Sequence, residues 1–209
     1  ILQFESQRCF YLLEESFKTG GQKKRIIGFI GLNKIEEYST QKVLRHENTL
    51  PKAKQDRLNL LESTRANFGL VYTIYRDQTN FIEKIADSCP EQFKFKPSYD
   101  PTLEFRLWKL CQPDLIQKII KLMAAKQVLI ADGHHRYETS RIYGQKASQE
   151  GWPGQGHEYI LTLFVNSYQK DIAIYPTYRL VETEKPLKIE QIIDKISPYF
   201  NIKIKTYDG

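Results

Sequence analysis

The residues best suited to chemistry stand together at Asp132-Gly133-His134-His135-Arg136. They follow Val128-Leu129-Ile130-Ala131, an unbroken apolar run that predicts a strand buried on both faces, and a helical pattern continues from them to about Gln149. A strand-to-helix corner of this composition suits an anion. Gly133 lets the backbone turn tightly and a ligand come close, while the first amides of the helix lack intrahelical partners and its dipole favours negative charge. Arg136 adds a planar fork for phosphate. The expectation is that Gly133, His134, His135 and Arg136 cradle phosphates, with Asp132 beside magnesium or an acceptor hydroxyl and His135 available for acid–base work. The bland alternative is that Asp132 caps a helix, Gly133 turns the chain and the histidines are surface groups.

A second polar segment, Arg45-His46-Glu47-Asn48-Thr49-Leu50-Pro51-Lys52, precedes Asp56-Arg57 and Ser63-Thr64-Arg65-Ala66-Asn67. A His-Glu pair in a loop before a helix offers Glu47 as general base with His46 positioning it, and Lys52 and Arg65 as further phosphate ligands. Between Lys42 and Arg65 there are 6 Lys or Arg against 3 Asp or Glu, which a solvated helix face with paired charges would also explain. The two segments together hold His46, His134 and His135, three of the chain's 4 histidines.

No metal ligand set is expected from these residues. His134 and His135 are neighbours that point in different directions on a helix, and no H-x-x-x-H spacing occurs, which speaks against zinc or iron. Magnesium carried in by a nucleoside di- or triphosphate and touched by Asp132 or Glu47 fits better. The 3 cysteines, Cys9, Cys89 and Cys111, are odd in number and widely spaced with no C-x-x-C pair, so neither a disulfide framework nor a zinc ribbon is expected, and a reducing cytoplasm is the expected home. No cysteine lies near a histidine in sequence to act as a nucleophile.

The elements that must hold these residues follow from pattern. The runs 9–17 and 25–35 are strand-like and joined by Thr19-Gly20-Gly21-Gln22, a hairpin, whereas 41–48 is polar and loop-like. A helix starts at Pro51; a strand is expected over 68–75, a helix over 79–88, short strands at 92–95 and 103–110, and a helix over 114–126 with Leu115, Ile116, Ile119, Ile120 and Met123 as its buried stripe. A second hairpin (159–165 with 171–175), a helix over 187–199 and a strand over 201–206 complete the reading. Interleaved helices and frequent hairpins predict an α/β (α+β) domain with a mixed sheet and flanking helices, one domain of 209 residues with a sub-boundary near 90–102. The chain lacks an initial Met and closes at Asp208-Gly209, which is read as a piece of a longer protein.

At 209 residues and 41% apolar the chain can bury a core, and its apolar runs are far short of the roughly 20 residues that cross a bilayer. No membrane partner is expected. The net charge of +6 suits a small anionic ligand or nucleic acid without choosing between them, and no helix-turn-helix or interleaved basic-aromatic groove stands out.

The runs 45–51, 56–58, 63–67, 131–139 (Ala-Asp-Gly-His-His-Arg-Tyr-Glu-Thr) and 176–180 (Pro-Thr-Tyr-Arg-Leu) closely resemble, in the same order, the bacterial and archaeal family called domain of unknown function 1015. That family usually has Pro where this chain has Arg45, and His where it has Tyr178. More distantly, Asp132-Gly133-His134-His135-Arg136 is similar to the strand-to-helix Gly-x-x-Arg element of the ParB and sulfiredoxin superfamily, especially the Asp-Gly-His-x-Arg of its free-serine kinases. This likeness implies a ParB-like core, a nucleotide held by its phosphates at the corner, and phosphoryl transfer to a hydroxyl or nucleotide hydrolysis, with a Glu and Asp132 as key groups. Two other classes are weighed beside it: a non-enzymatic ParB-like nucleotide switch or DNA-binding module, and a hydrolase of a small anionic metabolite that uses His134 or His135 and no nucleotide.

Overall fold

The structure is a computed structural model that describes residues 6–49, 51–88, 93–152, 156–174 and 188–203, with the backbone alone for 51–53. The chain divides into two compact units, residues 1–172 and 173–209.

In the first unit, strands β1 (Phe10–Thr19) and β2 (Gln22–Lys34) form the expected hairpin, with Thr19 facing Gln22 across the turn at Gly20-Gly21. The remaining elements are β3 (Val43–Leu44), α1 (Pro51–Thr64), β4 (Val71–Tyr75), α2 (Phe81–Ser88), β5 (Phe93–Phe95), β6 (Glu104–Leu110), α3 (Pro113–Ala124), β7 (Val128–Asp132), α4 (His134–Gln149) and β8 (Tyr159–Asn166). The strands make one sheet of eight in the order β3-β7-β4-β8-β2-β1-β6-β5. Two pairs, β3 with β7 and β4 with β8, are parallel and the others antiparallel, so the sheet is mixed as the interleaved pattern predicts. The core of the sheet buries Leu12, Phe29, Val71, Ile130 and Ile160 with Ile119 of α3 and Tyr137 of α4. β1 also buries Glu14, whose carboxylate is compensated by ion pairs with Arg25 and, at 3.7 Å, with Arg106.

Several local expectations change. Residues 43–44, read as loop, form a strand, because Val43 and Leu44 find apolar register partners in Val128 and Leu129. The second hairpin does not form among the described residues: β8 is already flanked by β2 and β4, so no edge is left for 171–174 to pair with. β7 is not buried on both faces; Val128 and Ile130 are buried, while Leu129 and Ala131 are only half-buried. Ile120 of the expected α3 stripe is 47% exposed. The cysteine expectation is also overturned. Phe10 pairs with Leu110, which sets Cys9 opposite Cys111 at a Cα separation of 4.4 Å, and the two form a disulfide. Sequence distance conceals a pair that strand register creates.

The second unit contains α5 (Ile189–Ile196), the core of the helix expected over 187–199; residues 201–203 carry no regular structure and 204–206 lie outside the described residues. Among the described residues no helix is long and apolar enough to cross a membrane.

Candidate functional site at the start of α4

Strand polarity explains how two distant polar segments meet. β3 and β7 run parallel and side by side, so the residues leaving β3 (Arg45, His46, Glu47) emerge at the same sheet edge as those leaving β7 (Asp132 to Arg136). β4 runs antiparallel to β7, which brings the chain entering β4 (Gly69, Leu70) to that edge as well. Carboxyl ends of adjacent parallel strands are the usual place for ligands in sheets of this kind.

His134 opens α4 and is 3% exposed. Its Nδ1 lies 3.5 Å from Oε2 of Glu47, and Nε2 of His46 lies 3.8 Å from Oε1 of the same carboxylate. The two imidazoles meet edge to face with centroids 4.5 Å apart, and the backbone N–H of His46 points at Nε2 of His134 at 3.5 Å. Burial, with the nearby His46, lowers the His134 pKa below the ordinary histidine value and favours the neutral ring. His46 and Glu47 are exposed, so one side of the cluster faces solvent.

Arg136, two residues on, serves the opposite face of α4. Its Nη1 donates to the Leu70 carbonyl at 2.7 Å and to Asp132 Oδ2 at 3.3 Å. Gly133 makes this possible. Its φ of +93° is a left-handed conformation that side chains rarely adopt, and a Cβ there would stand 2.7 Å from Nη1 of Arg136. Beyond the guanidinium lies a cleft of about 270 Å³ between α1, the 66–69 turn and α4, lined by Arg57, Phe68, Arg136, Thr139 and Ser140 among others. Gly133 is also the N-cap of α4 and supplies no side-chain cap, so none of the helix's first amides is taken by it.

The expected site residues therefore fall into three groups. His46, Glu47 and His134 come together, and Gly133, Arg136 and the exposed Asp132 form the corner beside them. His135 is half-buried with an Nδ1 that has no hydrogen bond, and it is not one of the three clustered groups. Arg65 follows α1 and stacks over Trp152 at 5.4 Å, in a hollow that adjoins the Arg136 cleft through shared Leu61, Asn67 and Ser140. The Lys52 side chain and the 176–180 run, with Tyr178, lie outside the described residues.

A supporting layer was not anticipated. Glu138, one helical turn beyond His134, is 5% exposed, with Arg141 Nη2 at 3.3 Å and Arg45 Nη1 at 3.5 Å. Both guanidiniums also sit over the ring of Tyr38, at 4.6 Å for Arg45 and 5.6 Å for Arg141. Burial and the Glu138 carboxylate raise the Tyr38 phenol above its ordinary pKa, so it stays protonated. This arrangement ties Arg45, and with it the His46–Glu47 turn, to α4. The i,i+4 spacing of His134 and Glu138 is the one sequence signal that could have found it.

No curated protein and no solved structure is significantly similar to the chain. The runs around His46–Glu47 and Asp132–Arg136 that meet at this edge are the ones that carry the family resemblance, and a family match spans residues 1–208: the chain belongs to the family described as Protein of unknown function (DUF1015).

Proposed function

We propose that the protein binds a phosphorylated small molecule, in the first instance a nucleotide with magnesium, at the start of α4 and acts on its phosphoryl group. The observation that carries this reading is the convergence of His46 and Glu47 on His134, 88 residues apart in sequence for the histidines, at a helix N-terminus without a side-chain cap. The uncapped amides and the positive end of the helix dipole favour phosphate oxygens there. Arg136, which carries a positive charge beside Gly133, and Arg57 on the wall of the same cleft add to that preference.

In this reading Asp132, whose side chain is 77% exposed, stands where a nucleotide-borne magnesium would arrive, and the His46–Glu47–His134 cluster is the reacting end that handles the proton of an attacking hydroxyl or water. The sequence likeness of Asp132–Arg136 to the ParB and sulfiredoxin element supports the nucleotide as the first ligand to try. Calorimetric titration with ATP, CTP, GTP and ADP in the presence of magnesium is the test. Binding by one of them that weakens at least tenfold in Arg136→Ala is expected; absence of binding by all four ends the reading.

A further inference from the structure

We propose that His46, Glu47 and His134 form a binding site for a divalent transition cation, zinc by its donor set. One ligand atom from each, two imidazole nitrogens and a carboxylate oxygen, lie within 4.8 Å of one another. Neither the 3.5 Å His134–Glu47 separation nor the 3.8 Å His46–Glu47 separation is a hydrogen bond, so the three groups face a common space without satisfying each other directly. Bonds of about 2.0–2.2 Å from a tetrahedral ion place neighbouring ligand atoms roughly 3.4 Å apart, close to the two separations from Glu47, and the two imidazole nitrogens lie within 4.8 Å of each other. Small side-chain rotations close the remainder.

The chemistry of the set is selective. Two imidazoles and one carboxylate match zinc, cobalt or manganese better than calcium or magnesium, which prefer all-oxygen cages. His134 supplies the rigid, 3% exposed member on a helix, and Glu138 with Arg45 anchors the turn that carries the other two. His46 and Glu47 are 48% and 61% exposed, which leaves positions on the ion open to water or to a ligand oxygen, the arrangement of catalytic rather than structural zinc. Loading at Nδ1, the nitrogen that faces Glu47, puts the ring proton of His134 on Nε2, which gives up the 3.5 Å contact from the His46 amide, already at the outer limit of a hydrogen bond. The pairing escapes spacing rules because His134 partners His46, across the sheet edge, and not its neighbour His135.

The site deepens the phosphoryl reading by making a metal-bound water the group that gives up a proton. It stands on side-chain geometry and does not require a nucleotide. The test is titration of EDTA-stripped, dialysed protein with Co²⁺ and no nucleotide. One equivalent should produce visible absorption that Zn²⁺ abolishes, as for a low-coordinate cobalt site with nitrogen ligands. His46→Ala and Glu47→Gln, both at exposed positions, should each weaken uptake tenfold or more while the circular dichroism spectrum is unchanged. No stoichiometric uptake, or uptake retained in both variants, overturns the site. Nucleotide titration into the same stripped protein with magnesium as the only added cation tests the phosphate reading separately, so each can fail alone.

Discussion

Arg136 donates through Nη1 to the carbonyl of Leu70 at 2.7 Å, which ties the first turn of α4 to the residue preceding β4 across 66 positions of chain. The guanidinium occupies the space that Gly133 leaves by having no side chain, and a Cβ built on Gly69 would stand 3.2 Å from its Nε. The arginine that reads in sequence as a phosphate ligand is also part of the corner's architecture.

Gly133→Ala should accordingly be costly for two separable reasons. The left-handed backbone and the 3.3 Å approach of the new Cβ to Cα of Val71 make up the first, about 1–2 kcal/mol for the backbone, and displacement of Nη1 of Arg136 from its bond to the Leu70 carbonyl is the second. Urea unfolding of Gly133→Ala, Arg136→Ala and the double variant distinguishes the two. The double variant should be more stable than the sum of the singles predicts, because removing the guanidinium relieves the collision. Additivity to within about 0.5 kcal/mol would show that the two residues do not compete for that space.

What was legible in the sequence follows from the range of the forces involved. The β1–β2 hairpin, the start of α1 at Pro51 and the strand-to-helix corner at Gly133 are dictated by local turn chemistry and periodicity, and they stand where pattern places them. The partners of His134 are another matter. Glu47 reaches it only because two residues, Val43 and Leu44, pair in parallel with β7, and a strand so short leaves no alternation to detect. The Cys9–Cys111 bond and the encirclement of β8 by β2 and β4 likewise depend on register between remote strands. Glu138 could be suspected from its spacing to His134, but its burial between Arg45 and Arg141 could not.

Asp77 should prove a strong local determinant of stability. It is 2% exposed, and its carboxylate accepts the Phe81 amide at 3.1 Å, the Thr79 amide at 3.1 Å and the Thr79 hydroxyl at 2.8 Å, closing the entrance of α2. Burial raises its pKa, but these bonds outweigh it and leave the group below the ordinary value of 3.8. Asp77→Ala should cost about 1–2 kcal/mol in denaturant unfolding near neutral pH. The carboxylate's contribution is present above pH 3.8 and is lost as the pH falls through the lower folded value, so the gap between the wild type and Asp77→Asn should narrow in acid. A gap that widens in acid would contradict the assignment.

Glu83, two residues into α2, has the opposite sign. Burial first, and then the negative charges of Asp77 and Asp87, hold its carboxyl above the ordinary value of 4.5, and neither of its oxygens has a hydrogen bond of good geometry. A carboxyl raised in the folded state leaves stability intact below the unfolded value and erodes it as the pH rises through the folded one. Glu83→Gln should therefore melt at a higher temperature than the wild type at pH 7 to 8, and the two should converge below about pH 4.5. Equal melting temperatures throughout would mean that solvent reaches the carboxylate.

The Cys9–Cys111 bond offers the largest single effect on folding stability. It joins the beginning of β1 to the end of β6 over a sequence separation of 102, and so restricts the unfolded chain far more than a local crosslink does. Native disulfides of this kind contribute about 2–4 kcal/mol. For a chain of this length each kcal/mol moves the melting temperature by about 2–4 °C, which puts the loss on reduction at roughly 5–15 °C. Cys9→Ser and Cys111→Ser should reproduce that loss without added reductant and should no longer respond to it. The loss on reduction should persist in a Cys89→Ser background, which separates the Cys9–Cys111 bond from exchange with the third cysteine. A melting temperature unmoved by reductant, with free-thiol titration confirming that the bond was broken, would mean that strand pairing alone holds β1 against β6 and that the disulfide merely records their proximity.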